Sequence, residues 1–230
     1  MRADRPDLDT IRAALRPHGL FLRGTVFFDT DAAAPQLDDG RPAASVVLVG
    51  NVGSSLWPAF ERWRQGQPDG GGGNPLDDWS KAAIRPVAAD AGATAWFPSD
   101  PPWQPFQQWA MRAEGLKASP LGILIHPVYG LWHGYRGALG FAARLEDEPA
   151  PRAPHPCEHC TDKPCLTTCP AAAVHPQAFD VAACQRHLVS PAGQAGCMAS
   201  GCRARAACPV GARYRYRGEQ LRFHMAALSL

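Results

Sequence analysis

The chain has 230 residues, 23 Lys and Arg against 21 Asp and Glu, a formal net charge of +2 and 46% hydrophobic residues. That balance excludes an intrinsically disordered chain, which lacks core-forming residues, and argues against a strongly basic nucleic-acid binder. No stretch approaches the roughly 20 apolar residues of a membrane-spanning helix. The first twenty residues, MRADRPDLDTIRAALRPHGL, have neither the apolar centre nor the small-residue cleavage site of a secretory leader, so the expected location is the cytoplasm.

Taken in chain order, Asp7 to Arg16 places Leu8, Ile11 and Leu15 on one face, a helical pattern stopped by Pro17 and Gly19. Leu20–Phe28 reads as a strand. Ala44–Val49 is nearly all apolar, which suits a buried strand. Ser54 or Ser55 then stands where it would cap a helix carrying Trp57, Phe60 and Trp63. The Gly70–Gly73 run lacks the Lys-Ser/Thr of a phosphate-binding loop and reads as a plain loop. Leu76–Ala89 is helical with a bend expected at Pro86, and Asp77 and Asp78 favour its start. Thr94–Phe97 reads as a strand, Phe106–Ala113 as a helix, and Leu121–His126 and Gly137–Leu145 as two further strands. Strands alternating with helices predict an α+β domain, a central sheet with helices packed on it.

All seven tryptophans precede residue 133, and all eight cysteines follow residue 156. Between them EDEPAPRAPHP, residues 146–156, is charged and proline-rich and reads as a linker. The expected organisation is a cofactor-binding domain over 1–145, a linker over 146–156 and a small cysteine module over 157–230. The last stretch, QLRFHMAALSL, reads as a short amphipathic helix docked on the core.

The cysteines run Cys157-x2-Cys160-x4-Cys165-x3-Cys169-Pro170, then Cys184, then Cys197-x4-Cys202-x5-Cys208-Pro209. A disulfide framework belongs to secreted chains. Zinc also takes C-x2-C pairs, but it does not account for two groups that both close on Cys-Pro. Eight thiols are the ligand count for two [4Fe–4S] clusters, and the bacterial two-cluster run sends its fourth Cys to the other cluster. On that rule Cys157, Cys160, Cys165 and Cys208 form one ligand set, and Cys169, Cys184, Cys197 and Cys202 the other. The gap before Cys165 is two residues longer than usual, with Asp162-Lys163 inserted as a turn. His155, His159 and His187 read as residues around the sulfurs rather than ligands, since no Cys is missing. From residue 151 onward nine Lys and Arg face four Asp and Glu. That excess of five roughly offsets the about four negative charges of two oxidised all-thiolate clusters.

Leu121 to Phe141, LGILIHPVYGLWHGYRGALGF, closes a strand at His126-Pro127, passes through an aromatic, glycine-bearing turn and enters a second strand near Arg136. The residues themselves admit two readings. One is a loop site that offers the faces of Tyr129 and Trp132 and the fork of Arg136 to a bound group. The other is a tight turn with packed aromatics.

IHPVYGLWHGYRGAL is similar to the HP-x-[FY]-G-x-W-x-x-x-RG stretch of the CblC cobalamin-processing proteins, and SVVLVGNVGSSLWPAFERW resembles their early strand–turn–helix segment. The cysteine half resembles the ferredoxin module of epoxyqueuosine reductase, a second user of cobalamin. The resemblance implies a nitroreductase/CblC-like mixed sheet followed by a bacterial-type two-cluster ferredoxin module. It also implies a base-off cobalamin at His126, Pro127, Tyr129, Gly130, Trp132 and Arg136, with Trp132 covering the corrin face and Arg136 a polar edge. The expected function is transfer of electrons from an outside donor (a flavodoxin, ferredoxin or reductase) through two [4Fe–4S] clusters to a corrinoid. The rivals are a ferredoxin-type carrier serving a partner enzyme, an epoxyqueuosine-reductase-like enzyme and a flavin enzyme. The chain lacks the helical extension by which epoxyqueuosine reductases engage tRNA, so nucleic acid is not the expected substrate.

Overall fold

The computed structural model describes residues 7–29, 34–145 and 153–228. Residues 146–152 of the expected linker, the start of the leader reading and the last two residues of the terminal helix lie outside the described residues. The chain divides into two compact units, one formed by Met1–Gly115 and Gly134–Arg152, the other by Leu116–His133 and Ala153–Leu230.

In the first unit α1 (Leu8–Leu15) begins at Asp7, whose carboxylate accepts from Asp9 N at 3.0 Å and Thr10 Oγ at 2.6 Å, and it buries Ile11 and Leu15. Gly19 ends the following turn with φ of 65°. A four-stranded sheet runs in the order β1 (Phe21–Phe27), β2 (Ser45–Val52), β6 (His133–Phe141), β3 (Thr94–Trp96). The β1–β2 and β3–β6 pairs are antiparallel, and the β1–β2 register shifts between Leu22 and Thr25. Strand β2 is buried at every residue except its last, as its apolar composition requires. Helices α2 (Trp57–Gln65), α3 (Pro75–Asp90) and α4 (Phe106–Glu114) complete the unit. Trp57, Phe60 and Trp79 form a contiguous aromatic core, with Phe60 5.3 Å from Trp57 and 5.9 Å from Trp79 between ring centres. Helix α3 carries on through Pro86, which supplies no N–H to the Ala82 carbonyl.

The second unit holds a two-stranded antiparallel pair, β4 (Lys117–Ala118) with β5 (Leu124–Ile125). Short helices follow: α5 (Pro164–Thr167), α6 (Val181–Val189), α7 (Pro191–Gly193), α8 (Arg203–Ala207) and α9 (Gly218–Ala226), with a π-helical turn over Gln194–Met198. Asp180 caps α6 by accepting from Ala183 N at 2.8 Å. A buried cluster of Leu121, Ile125, Leu131, Val174 and Ala204 has Leu166, Phe179 and Val210 packed against it, together with Cys157, Cys165, Cys169, Cys202 and Cys208.

Three sequence expectations change. The strand over Leu121–His126 shrinks to Leu124–Ile125, because Gly122 has φ of 75° and Ile123 turns outward. The strand expected from Gly137 begins at His133. No serine caps α2: Leu56 holds that place, and Ser55 Oγ instead donates to the Gly19 carbonyl at 2.7 Å and accepts from Val52 N at 3.2 Å. Among the described residues no helix is long and apolar enough to cross a membrane.

Candidate functional site

The eight cysteines carry no disulfide and line two separate cavities of the second unit. One, of about 430 Å³, is lined by Cys157, Cys160, Cys165 and Cys208, together with Ile125, Leu131 and Val210. The other, of about 330 Å³, is lined by Cys169, Cys184, Cys197 and Cys202, together with Leu121, Phe179 and Leu188. Cys165 lies in α5 and Cys169 two residues past its end, so about one helical turn sends consecutive thiols to different cavities. Pro164 starts that turn, where its missing N–H removes no helical bond. Among the described residues no three His, Cys, Asp or Glu side chains are drawn tightly enough together to hold a metal ion. What each set of four shares is the cavity.

Burial pushes the Cys157 thiol up to about 11, and the neighbouring Cys208, Cys165 and Cys160 push in the same direction. Burial also raises Cys184, with Cys202, Cys169 and Cys197 adding to it, so each set is electrostatically coupled within itself. Cys165, Cys202 and Cys208 are raised chiefly by burial as well. Backbone N–H groups already point at two sulfurs of the second set: Ala173 N donates to Cys169 Sγ at 3.4 Å and Arg205 N to Cys202 Sγ at 3.5 Å. His155 lines the first cavity and His187 the second, while His159 lines neither.

The turn from His126 to Trp132 lies in the second unit, and Arg136 lies on β6 in the first. His126 Nδ1 accepts from Val128 N at 3.0 Å and Tyr129 N at 3.1 Å, and its ring stacks on Tyr129 with centres 4.2 Å apart. Those two bonds fix the imidazole with its Nδ1 lone pair occupied. Pro127 follows, half-buried, and Gly130 closes the turn at φ of 59° with its N–H on the His126 carbonyl at 2.9 Å. Trp132 is 1% exposed, its ring under the Arg205 guanidinium at 4.4 Å and edge-on to Tyr216 at 5.4 Å. Its aromatic face is therefore used within the protein. Arg136 stands 3.9 Å from Asp77 and donates from Nε to the Tyr135 carbonyl at 3.0 Å.

Sequence reading missed a buried polar group at one end of the sheet. Arg23 of β1 makes a two-point ion pair with Glu114, at 2.9 and 3.1 Å, with side chains 4% and 7% exposed. The Tyr135 hydroxyl donates to the same carboxylate, and Arg23 also reaches the Asn51 carbonyl at 3.3 Å. The partners are 91 residues apart in sequence, so no local spacing signals them.

No protein-family profile matches the sequence, and no curated protein matches it. The structure is similar to the crystal structure of CblC, a B12-trafficking protein of C. elegans, with 13% sequence identity and a TM-score of 0.54, over 94% of this chain and 91% of that one. The fold is CblC-like. At that coverage the likeness is not confined to the residues before the cysteines: the CblC-like fold takes in the cysteine-bearing half too, where the backbone is built of short helices and one isolated bridge, Val174 with Phe179.

Proposed function

We propose that the protein is a two-cluster iron–sulfur redox protein whose substrate is a corrinoid. The observation that carries this reading is the sorting of eight thiols into two cavities of four, each drawing on both Cys-Pro segments. A cubane cluster ties each thiolate to a different iron, so its ligands stand farther apart than the donors around one ion. Two open cavities, each with four buried or half-buried thiols on its wall and, among the described residues, no tight single-ion group, suit that requirement. In the first cavity Cys157, Cys160, Cys165 and Cys208 would hold one cluster, and in the second Cys169, Cys184, Cys197 and Cys202 the other. When bound, such clusters take up and release single electrons at potentials set by their surroundings.

The chain's own part is to bind, seal and orient. The apolar walls around both cavities restrict water at the sulfurs. The raised thiol pKa values mean that loading releases protons to solvent, as thiolate ligation requires. An outside one-electron donor would be oxidised and a cobalt(III) or cobalt(II) corrinoid reduced, with no atom of the protein consumed. The CblC-like fold supports a corrinoid as that substrate. His126 would not ligate cobalt through Nδ1, which already accepts two N–H groups, and this accords with a base-off corrinoid that needs no protein ligand. Tyr129 and Pro127 present half-buried faces for contact, and Trp132 supports that turn from inside.

Anaerobic reconstitution with iron and sulfide, followed by hydroxocobalamin and a reductant, tests the reading. The expected result is about eight iron and eight sulfide per chain and a visible spectrum that converts to the base-off, then the cobalt(I), form. A protein that keeps its clusters but leaves the corrinoid spectrum unchanged is a carrier, and one that takes up only zinc ends the proposal.

A further inference from the structure

Two buried nitrogens, Arg205 Nε and His187 Nε2, have no partner among the described residues, and both side chains line the second cysteine cavity. Arg205 is held firmly by contacts that leave Nε unused. Its Nη2 donates to the Leu131 carbonyl, and its guanidinium lies 4.4 Å over Trp132 and 4.8 Å over Tyr216. His187 sits on α6 three residues after Cys184, one turn along the helix that carries the thiol. A buried polar nitrogen without a hydrogen-bond partner is unfavourable and rare in a finished fold. No Asp or Glu lines this cavity, and much of the rest of its wall is apolar: Leu121, Phe179, Val181, Leu188. Both nitrogens are thus left for a group that fills the cavity.

The first cavity is built differently. Its charged lining residues are Glu158 and Lys163, of opposite sign, whereas the second has Arg203 and Arg205 with no carboxylate. Each electron added to a cluster adds one negative charge, concentrated on sulfur. N–H donors and a fixed cation nearby stabilise the reduced form more than the oxidised one and raise the potential.

Resting on the two-cluster reading, we propose that Arg205 and His187 donate Nε–H and Nε2–H to the sulfurs of the second cluster and set its potential. The guanidinium stays in place because Trp132 and Tyr216 clamp it, which gives the buried Trp132 a positioning role at one remove from the cluster.

The test is a potentiometric titration of the reconstituted full chain, followed by low-temperature EPR, for the wild type and for His187→Phe, Arg205→Met and Arg205→Lys. Iron content is measured on every sample. His187→Phe and Arg205→Met should move the same one of the two reduction steps to lower potential and leave the other in place, and Arg205→Lys should restore most of the loss by returning the cation. Should Arg205→Met shed its second cluster, His187→Phe and Arg205→Lys carry the decision. Full iron with both steps unmoved, or variants that move different steps, overturns the proposal. A wild-type chain that binds no iron overturns the two-cluster reading instead, and the iron assay tells the two failures apart.

Discussion

Gly130 and Val210 meet backbone to backbone: a β-carbon on Gly130 would lie 1.9 Å from the Val210 carbonyl oxygen. The contact is mutual, since a β-carbon on Gly211 would lie 2.3 Å from the Tyr129 carbonyl oxygen, and both glycines have φ near +60°. The His126–Trp132 turn is thereby pressed against the loop that follows Cys208. Gly130→Ala should cost about 1–2 kcal/mol from the left-handed backbone alone and more from the clash. Chemical denaturation should show that loss, and iron analysis should show the cluster that uses Cys208 lost first.

Separate assignment of the two thiol sets is checked by single substitutions. Cys208→Ser and Cys184→Ser should each cut iron from about eight to about four per chain, and the surviving EPR signals should differ between the two variants. If both variants keep the same signal, the grouping of thiols by cavity is wrong.

Corrinoid contact at the turn predicts that Tyr129→Ala weakens hydroxocobalamin binding at least several-fold, with iron content unchanged. Arg136→Ala tests the other residue drawn from the resemblance. If Arg136 also touches the corrinoid, its loss weakens binding; if it serves only Asp77 and the Tyr135 carbonyl, binding is unchanged and only stability falls. Spectral titration of each purified variant reads both outcomes.

The buried Arg23–Glu114 pair should be costly to break and cheap to replace. Glu114→Gln leaves the Arg23 guanidinium uncompensated in a site where both side chains are under a tenth exposed, so it should destabilise by about 3–5 kcal/mol. An Arg23→Met, Glu114→Leu double variant should recover much of that. Urea denaturation of the singles and the double gives the coupling directly.

Tyr135 sets an alkaline limit. Burial, then the Glu114 carboxylate, raises its pKa well above that of an ordinary phenol. Below about pH 10 both folded and unfolded chains hold the phenolic proton. Above it the unfolded chain loses the proton first, the folded state binds more protons, and stability falls as pH rises. Tyr135→Phe should flatten that decline between about pH 10 and 11 while lowering stability by about 1 kcal/mol at neutral pH through the lost hydrogen bond. An equal alkaline slope in both proteins would refute the assignment.

Local chemistry made part of this structure legible. Asp7 ahead of the Ile11 and Leu15 spacing marks α1, and the apolar run from Ser45 marks β2, because one turn or one strand contains the whole signal. Ser55 misleads for the opposite reason: its hydroxyl is taken by the Gly19 carbonyl, 36 residues away. The segment 116–133 is grouped with the cysteine-bearing residues since Leu121, Ile125 and Leu131 find their partners in Val174 and Ala204, a preference that composition along the chain does not contain. The cysteines announce themselves by type and spacing. Arg205 does not, although it sits between Trp132 and Tyr216 at the wall of a cavity, because its meaning comes only from what the fold places around it.

Cys165 sits in the single turn of α5 and Cys169 just beyond it, yet the two thiols belong to different chambers. On the proposed two-cluster reading, whatever fills one chamber would also steady this short stretch, and with it part of the wall of the other.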